Sequence, residues 1–380
     1  MGEQPVTRVT YVLDAPVWGG AEAVVAALVD ELRESVRATV VAVRPVPQRL
    51  EAVFAGRCEL VVVDPVAGKV DARAVLRLVA AVRNTRPDLV HVNLNSPTNN
   101  RYGLLAGLFS GAPSVATLHL PGALDSSVQR SVLALLYGAQ DAVIAVSQEV
   151  RTLLIDTLRV DERRTRVVDN GVRRSRPAVP RSSVPSPRVI GTLGRLVPQK
   201  GIDVLLTAFR QLRAEGLDVR LRVGGTGPDE AALRAAAAGL PVDFDGDVGD
   251  VESWLDGLDV FCLASRSEGL PLALMEAMAA GLPCLATDVG QVRTALSDGV
   301  LLVPAQDPDG LAAALRAVCA DAGLRHDLAG RGHELVTTRY STESMARATA
   351  ALYRAVILRP RRRLHRGRRR SRPNAPGSDG

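Results

Sequence analysis

At about 150 residues per domain, a 380-residue chain predicts two or three domains. Its 47% hydrophobic and 23% charged content excludes a disordered, collagen-like or coiled-coil description of the whole. No apolar run reaches the roughly 18 residues of a spanning helix, no basic-then-apolar leader opens the chain, and Cys58, Cys262, Cys284 and Cys319 lie too far apart for a zinc site or disulfide framework. These features predict a cytoplasmic protein, conceivable also at the inner face of a membrane.

The net charge of +6 is unevenly placed. Nine arginines and one aspartate give residues 359–380 a charge of +8 and leave residues 1–358 at −2. Such a tail is expected to be disordered. It reads either as a solvated extension or, through 359–372, as a peripheral tether to anionic membrane. The acidic body and scarce aromatics argue against a nucleic-acid partner. Only two lysines, Lys69 and Lys200, stand against 45 arginines. A retained Lys suggests work for a compact point charge, such as one phosphate oxygen in a tight space.

In chain order, strand 8–14 is followed by a WGG loop and an amphipathic helix over 21–34. Strands are expected at 38–44, 60–64, 88–93, 114–120, 142–147 and 165–170, with helices at 71–86, 99–110, 126–138 and 147–157. Val/Leu-rich strands alternating with helices predict a parallel sheet covered on both faces. Residues 173–188 hold four prolines and no apolar period, and so read as a linker. The alternation then restarts, with strands at 188–194, 218–225, 242–246, 259–264, 283–288 and 300–304. Helices fit at 201–214, 229–238, 250–257, 271–280, 290–297 and 308–320, and a last helix over 341–358 is free to return to the first domain. The expected fold class is α/β, with two Rossmann-like doubly wound domains (1–172 and 189–340) facing a cleft, their ligands outside the carboxyl ends of the strands.

Chemistry-bearing residues concentrate in the second half. In GTLGRLVPQKG (191–201), Arg195 suits bidentate phosphate contact and Lys200 supplies a second cation at a helix start, the makings of a diphosphate site. It is not a Walker loop, and spacing alone leaves a structural role equally open. RVGGTGPDE (222–230) offers Gly225 and Gly227 but no third glycine, so a plain tight turn is as good a reading as a ligand loop. In SRSEGLPLALMEAMAAGLPCLATD (265–288), Glu268 follows a buried strand and Glu276 sits eight residues on, in apolar surroundings where a carboxylate needs a partner. A salt bridge satisfies that need; so does a pair of hydroxyl acceptors beside a phosphate-binding helix start, which suits a sugar nucleotide.

Taken in order, GRLVPQKGID, VGGTGP, SRSEGLPLALMEAMAAGLPCLATDVG and VLLVPAQD resemble the retaining glycosyltransferases of family 4, the "group 1" enzymes of GT-B fold. In the first half WGGAE (18–22), TLHLP (117–121), AVS (145–147) and VVDNGV (167–172) are similar too. The E-x7-E pair Glu268/Glu276 is the most specific element. The resemblance implies that Arg195 and Lys200 bind the donor diphosphate, that Glu276 accepts from ribose hydroxyls, and that Glu268 holds hydroxyls of the transferred sugar. It places the amides of Gly269 and Leu270 around the phosphates and His119 opposite the donor sugar. Gly19 and Gly20 would permit close approach of the first loop, and Asn170 joins the donor-binding set. The implied reaction passes a sugar from a nucleotide donor, UDP-linked rather than GDP-linked by family frequency, to a carbohydrate, lipid-linked or small-molecule hydroxyl. No cofactor or metal is implied; D-x-D-x-D at 243–247 falls in a strand and turn of another kind. Thr294 stands where the family often has Glu.

Three other classes compete. A nicotinamide oxidoreductase lacks G-x-G-x-x-G in its first βα turn. A nucleic-acid or anionic-membrane binder would rest on the tail alone. A non-catalytic sugar-nucleotide-binding protein of the same fold would bind donor without turnover.

Overall fold

The computed structural model describes residues 6–14, 16, 18–46, 48–66, 71–122, 124, 126–174 and 188–359. Most of the linker and nearly all of the arginine-rich tail lie outside the described residues, as does Lys69.

The first lobe runs β1 (Thr7–Leu13), α1 (Gly20–Glu31), β2 (Val36–Val43), α2 (Gln48–Phe54), β3 (Glu59–Val63), α3 (Ala72–Asn84) and β4 (Leu89–Leu94). It continues with α4 (Arg101–Phe109), β5 (Ser114–Leu118), α5 (Ser127–Gly138), β6 (Ala142–Ala145), α6 (Gln148–Thr152) and β7 (Thr165–Val167). The second lobe runs β8 (Val189–Leu193), α7 (Ile202–Ala214), β9 (Arg220–Gly224), α8 (Glu230–Ala236), β10 (Val242–Gly246), α9 (Val251–Asp256) and β11 (Val260–Leu263). It closes with α10 (Leu272–Ala279), β12 (Cys284–Thr287), β13 (Leu301–Val303), α11 (Pro308–Ala320), α12 (Ala322–Arg339) and α13 (Thr342–Ile357).

All strand pairings are parallel, in the orders β3-β2-β1-β4-β5-β6-β7 and β10-β9-β8-β11-β12-β13. Parallel strands need covered faces, and two apolar clusters sandwich the first sheet. Val25, Leu28 and Tyr353 lie on one side, and Leu78, Leu104 and Leu133 on the other. The winding reverses beside β1 in one sheet and β8 in the other, the positions where such sheets open a crevice for ligands. Loops leaving β1, β5, β8 and β11 all reach that crevice.

Helix starts carry the side chains that satisfy orphaned amides: Asp71 accepts from Ala74 N at 2.9 Å, and Asp307 from Gly310 N at 2.9 Å. α13 returns to the first lobe, where Met345 and Tyr353 join its core and the Tyr353 hydroxyl meets His91 Nδ1 at 2.6 Å. Four features went unread in sequence: α2, the 18-residue α12, and π-helical turns at Leu153–Thr157 and Val292–Leu296 within the regular helices expected over 147–157 and 290–297.

Candidate active site

A cavity of about 470 Å³ lies between the lobes. Of the twelve residues singled out in sequence, eleven line it: Arg195, Lys200, Glu268, His119, Glu276, Gly269, Leu270, Gly225, Gly19, Gly20 and Asn170. Gly227 does not. A Cβ there would stand 2.3 Å from the Leu196 carbonyl oxygen, so this glycine packs the turn against the neighbouring loop.

Gly225 turns at φ +119°, and a Cβ would fall 1.9 Å from the Gly194 carbonyl. Only glycine lets the β9 turn lie that close to the β8 loop. Gly290 does the same beneath Glu268: at φ +53°, its Cβ would meet the Glu268 carbonyl at 1.8 Å. The glutamate loop thereby packs directly against the Gly290 backbone.

Lys200 Nζ donates to Glu268 Oε1 at 2.6 Å, the two side chains being 17% and 4% exposed. Ser265 Oγ donates to the same oxygen at 2.6 Å, and Thr287 in turn bonds the Ser265 carbonyl. Oε1 is thus saturated by the protein, while Oε2 accepts no hydrogen bond from a described residue. The family resemblance assigns Lys200 and Glu268 to different parts of a donor; in the structure they hold each other.

Arg195 is exposed on the cleft wall and forms no ion pair among the described residues. Glu276 projects from α10 with no hydrogen bond to a described residue, although its environment is half-buried. Burial pushes its carboxyl up to about 7, against the pull of Arg49 and with a further push from Glu252. The segment Gly269–Ala273 brings the first turn of α10 to the cavity. Amides at a helix start have no intrahelical acceptor and favour an anion. Pro271 is the cap residue and has no N–H to give.

The first lobe supplies a neutral frame. His119 Nε2 lies 3.1 Å from Asn93 Oδ1, and the Asn93 amide donates to the Ala21 carbonyl at 2.7 Å. Because Asn93 spends its N–H group on that carbonyl, its oxygen faces His119 and Nε2 must carry the proton. Nδ1 is left as an acceptor. Burial drives the His119 pKa down to about 3, which keeps the ring neutral. The His119 backbone also spans the cleft: a Cβ on Gly269 would stand 3.1 Å from its carbonyl oxygen.

Two functional-looking side chains were not anticipated. Glu22 is 2% exposed, accepts from Gly19 N at 2.9 Å and from the Asn95 amide at 3.2 Å, and so fixes the WGG loop. Burial raises its carboxyl above the usual range, opposed by those hydrogen bonds and by the charge of Arg195 on the facing lobe. Its place in G-G-A-E, three residues past Gly19, is a capping-box spacing that could have found it. Arg49 on α2 stacks over Trp18 at 5.3 Å and donates across the cleft to the carbonyls of Val248 and, at 3.3 Å, Gly249. Nothing in the sequence distinguishes it among 45 arginines.

In the D-x-D-x-D run, Asp245 accepts from Arg222 at 3.0 Å and from Trp254 at 2.7 Å, while Asp247 faces Arg49. Among the described residues, no cluster of three or more His, Cys, Asp or Glu side chains forms. Thr294 is exposed within the π-helical turn and does not line the cavity.

Two Rossmann-like lobes enclosing such a cleft have the GT-B architecture. The model of the glycosyl transferases group 1 matches residues 187–321, and that of glycosyltransferase family 4 matches residues 18–176. A phosphatidyl-myo-inositol mannosyltransferase of Mycolicibacterium smegmatis is 32% identical over 286 residues, 71% of this chain and 71% of that one. A glycogen synthase of Mycobacterium tuberculosis is 27% identical over 80% of this chain and 76% of its own. Among solved structures, the Anabaena protein HepE in complex with UDP-glucose superposes with a TM-score of 0.78 at 19% identity, over 92% of this chain and all of that one. The chain belongs to the family 4, group 1 glycosyltransferases.

Proposed function

We propose that the cleft binds a nucleoside-diphosphate hexose, UDP-linked in preference to GDP-linked, and transfers the hexose with retention to a hydroxyl of a carbohydrate, lipid-linked or small-molecule acceptor. One observation carries the reading: an unpaired Arg195, the Lys200–Glu268 pair and a Glu276 without a partner converge on one cavity with the first turn of α10. HepE was solved with UDP-glucose, and the mycobacterial relative is a mannosyltransferase, which supports a hexose donor.

In this reading the ribose hydroxyls donate to Glu276. The diphosphate lies against the α10 amides, Arg195 and Lys200, and the free Oε2 of Glu268 accepts from the sugar. The anomeric C–O bond breaks and its electron pair passes to the diphosphate oxygen. Fixed cations and amides stabilise that charge where it develops, with no metal called upon. The acceptor hydroxyl attacks from the face the diphosphate leaves and gives its proton to the departing phosphate oxygen. His119 Nδ1 accepts from a sugar hydroxyl across the cleft.

A melting-temperature panel of nucleotide sugars, followed by donor-hydrolysis assays on each hit, tests this. A UDP-hexose should give the largest shift and be turned over. A hit confined to another nucleotide class, or a product of inverted configuration, would overturn the donor or stereochemical assignment. Mass-spectrometric capture of a glycosyl–enzyme adduct would replace the same-face ion-pair route with a covalent one.

A further inference from the structure

Arg49 joins the two lobes at one end of the cleft. Its side chain, 20% exposed, leaves α2 and stacks over Trp18, the residue before the Gly19–Gly20 turn, at 5.3 Å from the ring centre. One terminal nitrogen donates to the Val248 carbonyl and lies 3.5 Å from Asp247 Oδ1, while the other donates to the Gly249 carbonyl at 3.3 Å. Asp247, Val248 and Gly249 belong to the loop between β10 and α9. A planar fork can meet several acceptors while its face rests on an aromatic ring; a compact ammonium cannot.

The second lobe fixes the rest of this region from within. Asp250 caps α9 by accepting from Ser253 N at 3.0 Å, and Asp245 is held by Arg222 and Trp254. At the far end of α9, Asp256 accepts from Arg174 of the interlobe segment at 2.5 Å. The carbonyls of Val248 and Gly249 look instead to the first lobe, and Arg49 supplies their donors.

The same guanidinium lies in the wall of the ligand cavity. Trp18, Arg49, Val248, Val251 and Glu276 line it together. Two charges act on Glu276: Arg49 from α2 favours its ionisation and Glu252 on α9 opposes it. Glu22, Arg195, Lys200, Asp247 and Glu268 are the other charged groups around the cavity. A residue that served only to staple the lobes would need the ring and the carbonyls. Arg49 in addition brings positive charge to bear on a carboxylate that has no hydrogen bond to a described residue.

We propose that Arg49 is a positioning residue for the nucleoside end of the donor: it sets the β10–α9 loop against the first lobe and supplies the positive charge that Glu276 faces as a carboxylate. This deepens the function proposed above and rests on Glu276 receiving the donor.

The test compares R49Q, which loses charge and fork, with R49K, which keeps only the charge. The first readout needs no ligand. Wild-type stability should fall relative to E276Q as pH rises, until Glu276 is fully ionised. In R49Q that upper limit, measured against R49Q/E276Q, should move up by about half a pH unit or more; in R49K it should stay near wild type. The second readout is calorimetric affinity for UDP-glucose, with GDP-mannose in parallel. R49Q should weaken it by about tenfold with kcat nearly unchanged, and R49K should recover only part of the loss. In the E276Q background the effect of R49Q should shrink to less than about threefold. An unmoved Glu276 titration in R49Q, or the same affinity loss with and without Glu276, would overturn the proposal. So would a lowered melting temperature with titration and affinity intact, which would leave Arg49 a staple. Wild type binding neither nucleotide sugar would strike the donor reading itself, whereas an unmoved titration strikes Arg49 alone.

Discussion

The two walls of the cleft are finished to different degrees. On the first lobe, Asn93, Glu22 and the Nε2 of His119 spend their hydrogen bonds within the protein, the ring and amide are neutral, and His119 Nδ1 is the acceptor left over. On the second lobe, Arg195, Glu276 and one oxygen of Glu268 have no partner among the described residues, and all are charged or chargeable. The first wall is a frame whose shape is already set. The second holds unmet charge that a ligand must meet, and the lobe matched by the group 1 model is therefore where donor binding should be most sensitive to single substitutions.

The largest effect should come from breaking the one charged pair on the second wall. Lys200→Ala leaves a nearly buried Glu268 carboxylate uncompensated and should cost about 3–5 kcal/mol of folding stability by denaturant titration. Adding Glu268→Gln should recover most of that stability without restoring transfer. Loss of transfer with unchanged stability in the single variant would mean the pair is loose in solution. Donor affinity should fall less than turnover does in Lys200→Ala, since the cation acts on charge that develops in the transition state.

Arg195→Ala removes a cation with no structural partner. Turnover should drop by roughly 10²–10³-fold, with the melting temperature unmoved. A lowered melting temperature would instead reveal a structural role.

Glu276→Gln should weaken nucleotide-sugar binding by about 1–3 kcal/mol by calorimetry. It also carries a pH signature. The folded carboxyl holds its proton up to about 7, well above the value of an unfolded glutamate, so ionisation costs stability as pH rises through that interval. Wild-type stability should therefore fall more steeply than that of Glu276→Gln between the two values. Parallel curves would place the carboxyl in open solvent.

The smallest effect is expected on the finished wall. Asn93→Ala frees the tautomer of His119 and should lower kcat/KM by about 1 kcal/mol, with donor affinity nearly unchanged. A loss as large as that of Arg195→Ala would show that the first lobe does more than frame the site.

Much of this was legible in the chain because the signals were local. Val/Leu strands alternating with amphipathic helices announced both sheets, and the Glu268/Glu276 spacing across Pro271 placed two carboxylates about one helix entry. The single lysine of the second lobe stood out because nearly every other cation is arginine, and for the same reason Arg49 was invisible. Its importance comes from reaching Val248 and Gly249, some 200 residues away, a pairing that only the tertiary fold creates. Gly227 lies off the cavity, and a glycine needed for backbone approach looks the same in sequence whether the approach is to a ligand or to Leu196. α12 escaped notice because glycines at 323, 330 and 332 interrupt its apolar period, yet Gly332 is needed where the helix meets Gly299.

The central claim is that Glu276, whose ionisation burial disfavours, receives a nucleotide sugar as a carboxylate. Calorimetric titration of the nucleotide sugar giving the largest melting shift, at about pH 6 in two buffers of different ionisation enthalpy, tests it directly. The account predicts a buffer-dependent enthalpy corresponding to proton release, abolished in Glu276→Gln. Identical enthalpies in the two buffers, with Glu276→Gln binding as tightly as wild type, would contradict it.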